Sequence, residues 1–310
     1  MKGSPLPSLK TPRVDSNTLI GMAFMLGNAL GATGVNAIVR GLSSDLHPFE
    51  MAFFRCAFGL IALAPMVLRH GLEPFRTQRL GLHALRGALQ AAVLLMFFLA
   101  LSMTPMATVQ ALFFTSPLFA TLLALVVLGE AIQARRIAAL VVGFAGVLVV
   151  LRPGFGALDP GALLMLAAAA TWGSAIIVIK MLSRTETSLT ATLYPTLFVT
   201  PIALLSALPY WRTPTWEELS WMALLGTFAT VSHLCLAQAF KEAEVTAVLP
   251  VDFTKLIWAA LAGYLLFAEV PGLSIWLGGA MIFSAVTYIA IREHRLIADS
   301  TAPAIPRDIA

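Results

Sequence analysis

Four ionisable side chains lie deep inside long apolar runs of this 310-residue chain: Arg55, His233, Asp252 and Lys255. Asp252 and Lys255 are three residues apart, so on a helix they share a face and are able to neutralise each other. Pro250 stands just before them, where it removes a backbone donor and frees a carbonyl. A charge embedded in hydrocarbon is expensive, so intramembrane charges mark pathways, binding sites or mutual pairs. Two readings follow for Asp252 and Lys255: they line a water-filled pathway and bind a charged substrate group or a proton, or they lock their helix to a neighbour. Arg55 sits roughly 10 Å inside its apolar run, a depth that suits either interfacial anchoring or substrate contact. His233 suits either a proton carrier or a helix-packing histidine.

A second tier of mid-run polar residues comprises Asn28, Asn36, Gln90, Gln110, Thr115, Ser116, Thr171, Trp172 and Ser174. Each one singly is accounted for by helix-to-helix hydrogen bonding; their concentration in a few runs is what points to a shared cavity. Phe113, Phe114, Phe119, Trp172 and Trp258 are able to stack on a flat substrate or simply to pack. The candidate binding set is therefore Asp252, Lys255, Arg55, Gln110, Asn28, Gln90, Trp172, His233, Phe113 and Trp258, with no catalytic group, metal ligand or cofactor expected.

The elements that must position these residues follow from composition. Hydrophobic residues make up 59%, charged residues 12%, and mean hydropathy is +0.86. Soluble domains carry about twice that charge fraction, so the chain reads as an all-α integral membrane protein in a lipid bilayer. No basic face interleaved with aromatics exists, which excludes nucleic acid as a serious partner. Cys56 and Cys235 both lie in apolar runs and read as buried thiols.

Apolar runs bounded by breakers predict ten spans, at 18–40, 48–69, 81–102, 105–128, 134–151, 160–182, 188–209, 217–240, 245–268 and 272–292. Residues 1–16 and 294–310 are expected as polar tails. With this assignment, fifteen of the twenty Lys and Arg residues fall on one side, three (Arg40, Arg152, Arg212) on the other, and Arg55 and Lys255 inside. The bias places both termini in the cytoplasm of a cell whose inner membrane the chain crosses.

The halves repeat. A shift of 140 pairs Gly21-x3-Met25-Leu26 with Gly161-x3-Met165-Leu166, and Arg40-x-Leu42-Ser43 with Lys180-x-Leu182-Ser183. A shift of 139 matches Val109, Phe114, Thr115 and Glu130 with Val248, Phe253, Thr254 and Glu269. Five spans per half (17–152 and 153–293) make this an inverted repeat, a layout of secondary transporters whose sites lie near the midplane. Pro117, Pro195 and Pro201 are expected hinges. Pro117 aligns with Leu256 and Pro250 with Ala111, which predicts helix breaks that do not match between the halves. Gly27, Gly31 and Gly34 predict close approach of span 1 to a neighbour. Gly143, Gly146, Gly278 and Gly279 give spans 5 and 10 either packing or homodimer surfaces.

SPLFATLLALVVLGE (116–130) and AVLPVDFTKLIWAALAGYLLFAEVP (247–271) resemble segments of the EamA-type drug/metabolite transporter superfamily, and the resemblance covers nearly all of 17–293. LHPFEMAFFR (46–55) with LHALRGAL (82–89) is most similar to the S-adenosylmethionine uptake group. The resemblance implies ten spans, a central cavity built mainly without spans 5 and 10, alternating access, and a small organic substrate such as S-adenosylmethionine or riboflavin. Export of amino acids, drugs or metabolites is the alternative on the same scaffold, and a non-transporting membrane scaffold is the alternative of another class. An enzyme is not expected, because no H-E-x-x-H, G-x-S-x-G or second mid-span Asp is present.

Overall fold

The computed structural model describes residues 16–71, 75, 77–128, 134–152, 159–182, 186, 188–243 and 245–301. The expected N-terminal tail, the end of the C-terminal tail and the repeat residue Glu130 lie outside the described residues. The described residues form twelve α-helices: α1 Ser16–Leu42, α2 Pro48–His70, α3 Leu80–Met103, α4 Met106–Phe113, α5 Ser116–Leu128, α6 Ala134–Leu151, α7 Pro160–Leu182, α8 Ser188–Ala207, α9 Trp216–Glu242, α10 Val245–Asp252, α11 Thr254–Phe267 and α12 Leu273–Thr301. α12 thus continues past residue 293, where the sequence reading begins a tail. Among the described residues, nine segments are long and apolar enough to cross a membrane, and Ile137–Leu151 of α6 is a shorter apolar helix.

Local chemistry sets the boundaries. Pro48 and Pro160 occupy first-turn positions, where the missing N–H would have been unpaired anyway. α9 begins with a capping box: Thr215 Oγ1 accepts from the Glu218 N–H at 3.3 Å, and Glu218 Oε2 accepts from the Thr215 N–H at 2.7 Å. Pro195 and Pro201 do not break α8, which runs unbroken to Ala207.

α1 lies along α9 because glycines clear its inner face. A Cβ at Gly34 would fall 2.6 Å from the Phe228 ring, and one at Gly31 would fall 3.1 Å from Ser232 Cβ. The neighbour that the span 1 glycines call for is therefore α9. α6 and α12 meet in the same way, with a Cβ at Gly278 only 2.6 Å from the Gly146 carbonyl oxygen. Gly143 faces Leu118 and Ala285, and Gly279 faces Leu256. These four glycines are used within the chain, which leaves the homodimer expectation without the residues that motivated it. The segment Met106–Leu123 is the most enclosed of the spanning segments at 61% buried, against 39% or less for the others. It forms the centre of the bundle.

Candidate functional site

Spans 4 and 9 are each broken into two helices, at equivalent points. α4 ends at Phe113 and α5 begins at Ser116; α10 ends at Asp252 and α11 begins at Thr254. Thr115 Oγ1 donates back to the Leu112 carbonyl at 2.6 Å, and Thr254 Oγ1 donates to the Val251 carbonyl at 2.7 Å. These pairs are related by the 139-residue shift, as are Phe114 and Phe253, whose rings stack on each other at 4.2 Å. The expectation of unmatched breaks is therefore overturned. The prolines differ, but the Thr hydroxyls close both breaks alike, and the two Phe rings fix them side by side. Pro117 contributes locally, because its missing N–H orphans the Phe113 carbonyl, which Ser116 Oγ then satisfies at 2.8 Å.

Asp252 and Lys255 straddle the second break instead of sharing an unbroken helix face. They still meet as an ion pair, with side chains 20% and 15% exposed. Asn28 of α1 donates Nδ2–H to Asp252 Oδ1 at 3.1 Å. Ser232 of α9 donates to Asn28, lying 2.8 Å from Oδ1 and 3.0 Å from the carbonyl oxygen. Ser232 thus fixes which way the Asn28 amide points, and the amide in turn holds the carboxylate. Sequence reasoning missed Ser232; its only signal was adjacency to His233 in a mid-span Ser-His dipeptide.

On the next turn-face of α9, His233 Nε2 lies 3.2 Å from Arg55 Nη2 of α2. His233 is exposed, and a polar pair of this kind is compatible with a watery cavity and not with lipid. Arg86, counted with the cations of the cytoplasmic side, stands in the second turn of α3, with Nε and Nη1 buried and without a hydrogen-bond partner. A few residues earlier His83 is fully buried, 3.7 Å from Glu186 and stacked on Tyr194.

Phe113 faces Trp172 at 6.3 Å and meets Phe97 edge-on at 5.2 Å, an aromatic corner between α3, α4 and α7. Gln110 is buried on α4 and Gln90 half-buried on α3; neither is hydrogen-bonded to the charged cluster among the described residues. Trp258 stands on α11 with its indole N–H buried and without a partner. The structure therefore joins Asn28, Asp252 and Lys255, joins Arg55 with His233, and joins Phe113 with Trp172, but does not tie in Gln90, Gln110 or Trp258.

A second polar network closes one end of the bundle. Arg40 donates Nε–H to Glu269 Oε1 at 2.9 Å and Nη1–H to the Ser102 carbonyl at 2.8 Å, while Glu269 Oε2 accepts the Met106 N–H at 2.9 Å. It ties together the ends of α1, α3, α4 and α11. A crevice lined by Pro105, Ala107, Ala260 and Pro271 opens beside it, away from the Asp252 cluster.

The model of the EamA-like transporter family matches residues 19–152 and again residues 159–291. The chain belongs to the EamA-like transporter family. The two matches divide it into two copies of one unit, on either side of 153–158. The chain is 30% identical to an S-adenosylmethionine uptake transporter of Rickettsia bellii, over 89% of this chain and 95% of that one. It is 31% identical to a riboflavin transporter of Vibrio cholerae, over 91% and 96%. A pseudopaline exporter of Pseudomonas aeruginosa is 26% identical over 81% and 89%. A solved crystal structure superposes at TM-score 0.60 and 19% identity over 91% of this chain and 98% of that one, a likeness of fold alone. This EamA-like chain is thus a multi-pass membrane transporter of a small molecule.

Proposed function

We propose that the chain is a secondary transporter that moves a small organic metabolite across the bacterial inner membrane by alternating access. Its ten spans form two inverted five-helix halves, with both termini in the cytoplasm. Two contacts support the inversion. The start of α1 packs on the end of α9 through Gly21 and Ala243, whereas the start of α7 packs on the end of α3 through Gly161 and Thr104. Because α1 and α3 run the same way through the bundle, α1 and α7 enter from opposite ends.

The observation that carries the reading is the polar cluster built on the helix break: Asp252 held by Asn28 and Lys255, with Arg55 and His233 beside it. A helix break at midspan exposes backbone groups and side chains to a cavity, which is where carriers place their sites. The aromatic corner of Phe97, Phe113 and Trp172 suits a flat ring. S-adenosylmethionine and riboflavin, carried by relatives at about 30% identity, each possess one. Purified protein in liposomes should show saturable counterflow of one of these two compounds, with loss of flux in Asp252→Asn. Wild-type flux in both Asp252→Asn and Lys255→Met would remove the pair from the mechanism.

A further inference from the structure

The charged pair Asp252–Lys255 stands at the break of span 9, and Phe113 of the aromatic corner at the break of span 4. From each break a short separate helix runs to the end of the bundle where Arg40 meets Glu269: α4, Met106–Phe113, and α11, Thr254–Phe267. At the breaks, Phe114 stacks on Phe253 at 4.2 Å. At the far tips, Glu269 Oε2 accepts the Met106 N–H at 2.9 Å. α4 belongs to the first repeat and α11 to the second, so the tip contact joins the two halves.

Several features build that contact. α11 ends on Ala268 at φ 54°, a left-handed conformation that a residue with a Cβ adopts only at a cost. The turn brings the Glu269 N–H onto the Gly263 carbonyl at 3.0 Å and sends the side chain back along α11. Gly263 makes the room, since a Cβ there would stand 2.8 Å from Glu269 Oε2. The returned carboxylate takes the Met106 N–H on one oxygen and Arg40 Nε on the other, and Arg40 also holds the last carbonyls of α3, Leu101 at 3.2 Å and Ser102 at 2.8 Å. Thr104, in the same α3–α4 turn, donates Oγ1–H to Asp159 Oδ2 at 2.6 Å. Two carboxylates of the second half therefore grip one turn of the first. Beside the grip, Pro105 and Ala107 on one side and Ala260 and Pro271 on the other line a crevice.

We propose that α4 and α11 are a gate over the transport site, hinged at the two helix breaks and latched shut at their tips by Glu269. The structure holds the latch closed. Opening parts Glu269 from Arg40 and Met106 and widens the crevice into a path toward Asp252. The breaks serve as hinges because element-terminal residues absorb changes of backbone angle without disrupting a helical ladder. An ion pair with side chains 22% and 11% exposed suits a reversible latch: both charges are near enough to water to be solvated once apart, so parting them costs little.

The inference rests on the alternating-access reading, and the first arm of its test needs no substrate. Full-length protein in nanodiscs carries Ala260→Cys with Cys235→Ala, and the native Cys56, buried in α2, is the internal reference. A hydrophilic maleimide should label position 260 slowly, and roughly tenfold or more faster in Glu269→Gln, where the contact to Arg40 loses its charge. Labelling of Cys56 should stay unchanged. Gly263→Ala should act in the same direction with every charge kept, because its Cβ displaces the carboxylate, and it decides the matter if Glu269→Gln does not fold. Unchanged labelling at position 260 overturns the gate; so does a parallel rise at Cys56, which would mean that the fold is merely loosened. In the second arm, a bifunctional thiosulfonate joining Ala107→Cys to Ala260→Cys should stop counterflow of S-adenosylmethionine or riboflavin in liposomes, with recovery on reduction. Undiminished flux in the joined protein overturns the gate and leaves the carrier reading standing. If neither compound is carried before joining, the substrate assignment fails and the labelling arm alone upholds or overturns the gate.

Discussion

Replacing Asp252 with asparagine removes the one carboxylate in the cluster and leaves the Lys255 ammonium without its counter-ion. Breaking a buried ion pair from one side costs about 3–5 kcal/mol, because the surviving charge stays desolvated. Here the two side chains keep 20% and 15% exposure, and water near the pair screens it, so about 2 kcal/mol is the appropriate expectation. The Asn28 amide adds little to this cost, since the new Asn side chain still offers an oxygen to its Nδ2–H. Removing both charges, in Asp252→Asn with Lys255→Met, should recover most of the loss, a strongly non-additive result. Thermal unfolding in detergent reads the stability, and counterflow of S-adenosylmethionine or riboflavin in liposomes reads the function. The expected pattern is a destabilised single variant, a largely restored double variant, and no flux in either. Additive destabilisation would show that the two residues are not a pair in the folded protein. Full flux in the restored double variant would show that the pair only locks α10–α11 in place.

Glu269→Gln should lower stability by about 2 kcal/mol, because it weakens the contact to Arg40 and to the Met106 N–H together; a melting temperature equal to wild type would show that the network does not hold the four helix ends. Gly278→Leu should yield little folded protein in size-exclusion profiles, since even its Cβ would meet Val150 at 2.5 Å and the Gly146 carbonyl at 2.6 Å. His47, before α2, stacks on Tyr210 at 3.9 Å, accepts the Phe49 N–H at Nδ1, and is pushed below the usual histidine range by burial. The folded state thus favours neutral His47, so its contribution is complete above about pH 6.5 and is lost as the pH falls through the lowered value. His47→Asn should flatten that part of the stability profile, and an unchanged profile would refute the assignment.

Composition and the rhythm of apolar runs determined that the chain is a helical membrane protein, and roughly where each span begins. In a bilayer every backbone polar group must be satisfied within the segment, so a long apolar run has little choice but a helix. The same logic picked out Asp252, Lys255, Arg55 and His233, because ionisable groups in such runs must be paired, anchored at an interface or set on a watery pathway. The glycines of span 1 announced a close neighbour but not that it is α9, since a small residue says only that something comes near. Tertiary structure decided the pairings. It placed Asn28 on Asp252 across 224 residues, and it broke spans 4 and 9 at matched points despite unmatched prolines. It also left Arg86, near the start of α3, with two guanidinium nitrogens buried and unpartnered. Which polar groups meet depends on which helix faces which, and that is set by complementary packing along whole helices, a property no single residue or spacing carries.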